Sequence, residues 1–167
     1  MCRVKEELDL QWKIREAKPE DFDAINELVG QLYRIHAKNR PDIYRSCDKP
    51  LDYDYYISLL DDDNVKVFIG EDGDRIIAYT ILLFMDAPKR AAYVERRYIE
   101  FDHICVSEEY RGKNIGSKFI DYIKELAKSQ QFSSIELHVA EFNEDAIGFY
   151  EAKGFKPRSR TLVLPIV

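Results

Sequence analysis

The sequence predicts one mixed α/β domain, and three observations predict it. Its 167 residues suffice for a single domain with a full core. Hydrophobic residues make up 46% and charged residues 34%, the proportions of a soluble globular chain with somewhat high charge. From Trp12 to Leu164, stretches of period-2 alternation interleave with stretches of helical spacing, and no repeat, linker or low-complexity segment interrupts them.

The elements follow in order. Trp12 and Ile14 alternate with Lys13 and Arg15, a short half-buried strand. Pro19, Glu20 and Asp21 open a helix, with acids at its positive end. Phe22, Ile25, Leu28, Val29 and Leu32 keep helical spacing until Pro41 breaks it. A second helix starts near Pro50, carries Tyr55, Tyr56, Leu59 and Leu60, and ends at the acidic run Asp61–Asn64. Val65, Val67 and Ile69 alternate as a strand, and Asp72–Gly73 makes a hairpin turn into the nearly all-apolar strand Ile76–Phe84. After a loop from Met85 to Ala92, a long strand runs from about Tyr93 to Val106. Ile115, Phe119, Ile123 and Leu126 mark a third helix, and Ile135, Leu137 and Val139 another strand. Ala146–Ala152 is a short helix stopped by Gly154, and Thr161–Leu164 a final strand.

Bulk properties exclude several classes. The net charge of −6 argues against a general nucleic-acid binder, because phosphates attract dense Lys and Arg. Cys2, Cys47 and Cys105 form no CxxC pair, so they read as reduced thiols rather than a disulfide framework or a metal site. No apolar run reaches the ~18 residues of a membrane span, and Met1–Asp9 lacks the apolar core of a signal peptide. The expectation is a cytoplasmic protein without metal, membrane or nucleic-acid partner.

The most informative stretch is Val106–Ser117, between a buried strand and an amphipathic helix. A helix N-terminus leaves amide N–H groups unpaired and carries partial positive charge, which suits a pyrophosphate. Gly112 and Gly116 allow close backbone approach, and Arg111 and Lys113 add charge at the rim. Neither GxxxxGK[ST] nor GxGxxG is present. Downstream stands Asn143-x-x-Ala146-x-x-Phe149–Tyr150-x-x-x-Gly154–Phe155. Asn143 can cap the short helix and Gly154 can end it, so local structure alone explains those two.

Together, Arg111-x-x-Asn114-x-Gly116 and the Asn143–Phe155 motif resemble the two signatures of the GNAT family of N-acetyltransferases. The resemblance is specific from about Glu100 to Phe155. The chain departs from the family pattern at Asn114, where Gly is usual. Asn is the residue other than Gly that best tolerates a left-handed backbone. The resemblance implies a single domain, residues 1–167, with a mixed, mostly antiparallel sheet flanked by helices and an acetyl-CoA-binding core at about 93–156. It implies acetyl-CoA as co-substrate, no metal, and direct attack by a primary amine in a ternary complex. The amine belongs to a small molecule or a protein, and dimers through sheet edges occur in the family.

The resemblance also distributes roles. Ile104, Cys105 and Val106 lie where the family's strand splays to pair with pantetheine, one amide there serving the oxyanion. Arg111, Gly112, Lys113, Asn114, Ile115, Gly116 and Ser117 form the phosphate loop, and Asn143 and Phe149 complete the cofactor site. Tyr150 takes the general-acid position, since a phenol of pKa ~10 can protonate a thiolate. An alkylammonium must lose a proton before attack. Carboxylates on the long strand favour Asp102, then Glu100, as base. Strict alternation places Glu100, Asp102, Ile104 and Val106 on one face, and Phe101, His103 and Cys105 on the other. Tyr33, His36, Tyr44, Tyr53, Tyr55 and Tyr56, with Asp52, Asp54 and Asp61–Asp63, are candidates for the acceptor side, as is the Met85–Ala92 loop. The alternative function is a non-catalytic acyl-CoA sensor or interaction domain.

Overall fold

The computed structural model describes residues 12–166, so the readings of Cys2 and Met1–Asp9 lie outside the described residues. The elements are β1 (Trp12–Glu16), α1 (Phe22–Asn39), α2 (Tyr53–Asp61), β2 (Val65–Asp72), β3 (Arg75–Asp86), β4 (Arg97–Val106), α3 (Ile115–Ser129), β5 (Ser134–Leu137) and α4 (Glu144–Ala152). They build one domain on a five-stranded sheet in the order β1-β2-β3-β4-β5. The first four strands are antiparallel neighbours, and β5 joins β4 in parallel.

Each face of the sheet carries its own core. Phe101, Ile115, Phe119, Ile120 and Ile123 pack between the sheet and α3. Ile25, Leu28, Tyr56, Leu59, Tyr79 and Cys105 pack on the opposite face, against α1 and α2. A large apolar side chain fully buried this way contributes roughly 1.5–3 kcal/mol. The Asp72–Gly73 turn closes the β2–β3 hairpin, with Gly73 at φ +59°.

Two features of α1 fix the segment that follows it. Asn26 is buried and clamps Leu51, donating to its carbonyl at 3.0 Å and accepting from its amide at 2.8 Å. At Gly30 a Cβ would stand 2.1 Å from the Asp48 carbonyl oxygen. The glycine lets residues 40–52 lie directly on the helix, although they form neither helix nor strand.

The structure departs from the sequence reading in three ways. Regular β4 begins at Arg97, not near Tyr93, and β5 ends at Leu137, before Val139. Thr161–Leu164 is not a strand; Leu162 and Leu164 are over 80% exposed. A short apolar run alone cannot make a strand, because the ladder needs a neighbour for its N–H and C=O groups. Third, β4 does not alternate strictly. Ile81 pairs with His103 and Leu82 with Phe101, leaving Asp102 as an extra residue. This bulge reverses the phase of the strand. Phe101, Ile104 and Val106 therefore face the α3 side together, while Cys105 faces α1.

Candidate active site

One cavity of about 850 Å³ gathers most of the residues singled out by sequence. Its floor is the point where two strands part. β4 and β5 pair from Tyr98↔Ser134 to Phe101↔Leu137 and no further, yet β4 continues to Val106. Beyond Phe101, main-chain groups on that edge of β4 have no strand partner among the described residues. Ile104 and Val106 line one wall there, and His138, Val139 and Ala140 line the other.

The loop after β4 forms one end. Gly112 and Asn114 are both left-handed, at φ +75° and +62°, and Asn114 is the residue that caps α3. Two left-handed residues so close together turn the chain sharply into the helix. From Gly112 to Ser117 no amide donates to another described residue; the ladder begins with the Lys118 amide on the Asn114 carbonyl, at 3.2 Å. Arg111, Gly112, Asn114 and the first helical turn Ile115–Ser117 line the cavity. A Cβ at Gly116 would lie 3.4 Å from the Phe149 ring, an ordinary contact, so this turn packs against α4 with room for a small side chain only. Unpaired amides, a helix N-terminus and an arginine fit a pyrophosphate. Arg111 Nε donates to the Val106 carbonyl at 3.2 Å, which ties the loop to the end of β4.

Helix α4 forms the adjoining wall. Asn143 Oδ1 accepts from the Ala146 amide at 3.3 Å and starts the helix. Gly154 at φ +93° ends it, and the Phe155 amide returns to the Tyr150 carbonyl at 3.1 Å. The stop thereby packs the Phe155 ring on Tyr150, with centroids 5.7 Å apart, while Phe101 meets Tyr150 edge-on at 6.2 Å. Tyr150 lines the cavity, and burial pushes its hydroxyl up to about 12. It stays protonated at neutral pH, and is a weaker acid than a free phenol.

The other end of the cavity is built from separate elements. Leu32, Tyr33 and His36 come from α1, Tyr44 from the segment anchored by Asn26 and Gly30, and Asp102 and His103 from the bulge. Asp102 Oδ2 lies 2.5 Å from His103 Nδ1, but the side chains of consecutive residues do not align, and that nitrogen is buried without a proper hydrogen bond. Burial, reinforced by His103, lowers the pKa of His36 and keeps it neutral.

Several candidates are placed elsewhere. Glu100 does not line the cavity; its carboxylate lies 3.9 Å from His138 Nε2. The Cys105 side chain points away, its Sγ donating to the Leu28 carbonyl at 3.3 Å, and burial raises its thiol to about 11. Lys113 Nζ sits over the Tyr110 ring, 4.6 Å from the centroid, rather than in the lining. Tyr53, Tyr55, Tyr56 and the acids of α2 are outside the cavity; Tyr56 is core, its hydroxyl donating to the Lys18 carbonyl at 2.6 Å. The Met85–Ala92 loop also lies outside the lining. Conversely, Tyr110 and Ala146 line the cavity and carried no role in the sequence reading. Ala146 stood within the second motif, where a small residue next to a ligand wall was the available signal.

Among the described residues no cluster of metal-ligating side chains occurs, and no helix is long and apolar enough to cross a membrane. Residues 29–155 match the acetyltransferase (GNAT) family. An uncharacterized N-acetyltransferase of Methanocaldococcus jannaschii is 26% identical over 147 residues, 88% of this chain and 62% of that protein. Thialysine N-epsilon-acetyltransferase of Bos taurus is 40% identical over 58 residues, 35% of this chain and 34% of that enzyme. The matched regions thus span less than two thirds of either relative. The crystal structure of a mutant BH1408 protein from Bacillus halodurans superposes with a TM-score of 0.89 at 29% identity, covering 93% of this chain and 99% of that one.

Proposed function

Because the chain belongs to the acetyltransferase (GNAT) family, we propose that it moves the acetyl group of acetyl-CoA to a primary amine by direct attack in a ternary complex. The observation that carries this reading is the single cavity joining the left-handed loop, the parted strands and Tyr150. Acetyl-CoA supplies an activated thioester; the protein's work is to place it and manage two protons.

The amides of residues 112–117, with Arg111, hold the pyrophosphate. The open edge of β4 at Ile104 and Val106 pairs with the pantetheine arm, and an amide there donates to the developing oxyanion. Asp102 accepts a proton from the ammonium, freeing its lone pair. As the carbon–sulfur bond breaks, the Tyr150 hydroxyl donates towards the leaving sulfur, and the second nitrogen proton balances the thiol formed. Positioning both reactants supplies much of the acceleration. Asn114 holds a left-handed conformation of the kind open to glycine, which supports a working loop over a sensor without turnover.

Calorimetric titration with acetyl-CoA tests the reading, with ATP and NAD as controls. Selective micromolar binding followed by amine-dependent thiol release supports it. Failure to bind acetyl-CoA refutes it.

A further inference from the structure

We propose that the acceptor is a small monoammonium compound with an aromatic body and no carboxylate, an arylalkylamine, held between Asp102 and an aromatic wall of Tyr33, His36 and Tyr44. This rests on the transferase reading above and adds the substrate class.

The argument begins with charge. Beside His103, at 2.5 Å, Asp102 is the one carboxylate among the side chains of the acceptor end. Its carboxylate is 39% exposed on a bulge that turns it out of the β4 ladder. Arg111 is the one Arg or Lys of the whole lining, and it is tied to the far end through the Val106 carbonyl. An acceptor carrying its own carboxylate, such as a free amino acid, would bring that charge towards Asp102 with no Arg or Lys at this end to pair with. The remaining acid of the lining, Asp145, is exposed in the first turn of α4 beside Asn143. One carboxylate facing the acceptor matches one ammonium, not an extended polyamine.

The second argument is the wall. Tyr33 and Tyr44 meet edge to face at 6.0 Å, and His36 packs on Tyr44 at 5.0 Å and on Phe142 at 5.4 Å. This aromatic surface is continuous and half-buried. Ring faces attract an ammonium, and ring edges and faces pack well against another ring. Tyr33, His36, Tyr44 and Asp102 all line the same cavity. The carboxylate and the aromatic wall thus face one space. The Tyr44 amide donates to the Arg40 carbonyl at 2.9 Å and its ring is packed by Tyr33 and His36, so the wall is formed before the acceptor arrives.

The experiment uses the whole protein. Binding of CoA is measured first. Phenethylamine, lysine and spermidine are then titrated into the CoA-saturated protein, and kcat/KM is measured for each with acetyl-CoA. The expected result is a preference of about tenfold or more for phenethylamine in both measurements. Tyr44→Ala is expected to raise its KM about tenfold while the CoA affinity is retained. Equal or better use of lysine or spermidine overturns the assignment. So does an unchanged KM in Tyr44→Ala. Absence of CoA binding sinks the transferase reading itself, so the two failures are distinguishable.

Discussion

At the loop end of the cavity, the proposed chemistry belongs to main-chain amides from Gly112 to Ser117, contiguous in sequence and shaped by two left-handed residues. At the acceptor end it belongs to side chains from α1, from residues 40–52 and from β4, brought together only by the fold. A backbone site depends on conformation, so it tolerates any residue that can adopt the required φ. A side-chain site depends on identity and on the elements that aim it. Substitutions should therefore separate cofactor binding from turnover.

The largest effect is expected at the loop. Gly116→Arg fills the space over the first turn of α3 and should abolish detectable acetyl-CoA binding in calorimetry, a loss on the order of 100-fold or more in Kd. Gly116→Ala adds only a Cβ at ordinary contact distance from Phe149 and should leave affinity within a few-fold. If Arg binds as well as Gly, the phosphate assignment is wrong.

Next comes Tyr150→Phe. It should lower kcat on the order of 100-fold, with Kd for acetyl-CoA unchanged, as measured by thiol release and calorimetry. The pair Gly116→Arg and Tyr150→Phe thus splits binding from chemistry. Full turnover in Tyr150→Phe would deny the acid role.

Asn114 sharpens the conformational argument. Asn114→Val places a β-branched residue at φ +62°. The strain should cost about 1–2 kcal/mol, seen as a lower Tm or roughly tenfold weaker binding. Asn114→Gly should bind normally. Equal behaviour of the two variants would show that the side chain, not the backbone, makes the contact.

The smallest effect concerns the covered face of β4. Burial raises the Cys105 thiol to about 11, so the unfolded chain loses this proton first as pH rises. Its contribution to stability is fully present below pH ~9 and is lost as pH rises through the folded value. Tm should fall between pH ~9 and ~11, and Cys105→Ala should flatten that fall without changing turnover at neutral pH. An unchanged slope would mean that other groups dominate.

The difference between the two ends also explains what could be read from sequence. Both motifs were legible because they are local: Asn143 caps α4, Gly154 stops it, and Asn114 takes the glycine's conformation, each within a few residues of its partner. The hairpin at Asp72–Gly73 was legible for the same reason. The β4 bulge was not, because Asp102 is extra only relative to β3, and its neighbours in sequence give no sign of it. The acceptor wall was half legible. Tyr33, His36 and Tyr44 were among the candidates, but nothing local distinguished them from Tyr53 and Tyr55, which the fold sends elsewhere. The Thr161–Leu164 reading shows the same limit, since a short apolar run does not reveal the neighbour a strand needs.

The extra residue in β4 acts as a parity device. Before Asp102 the strand counts in one phase and after it in the other, so Phe101 and Ile104 back the same wall although an even-numbered step would be required in a regular strand. Changes of length in this strand are consequently governed by odd and even. A two-residue insertion beyond the bulge keeps every later side chain on its side, whereas a one-residue change exchanges the lining of the cavity with the contents of the core. Beyond the bulge, an apolar exchange leaves lining and core on their own sides, whereas a change in count does not, and the tolerance of this half of the protein to insertion is set by that arithmetic.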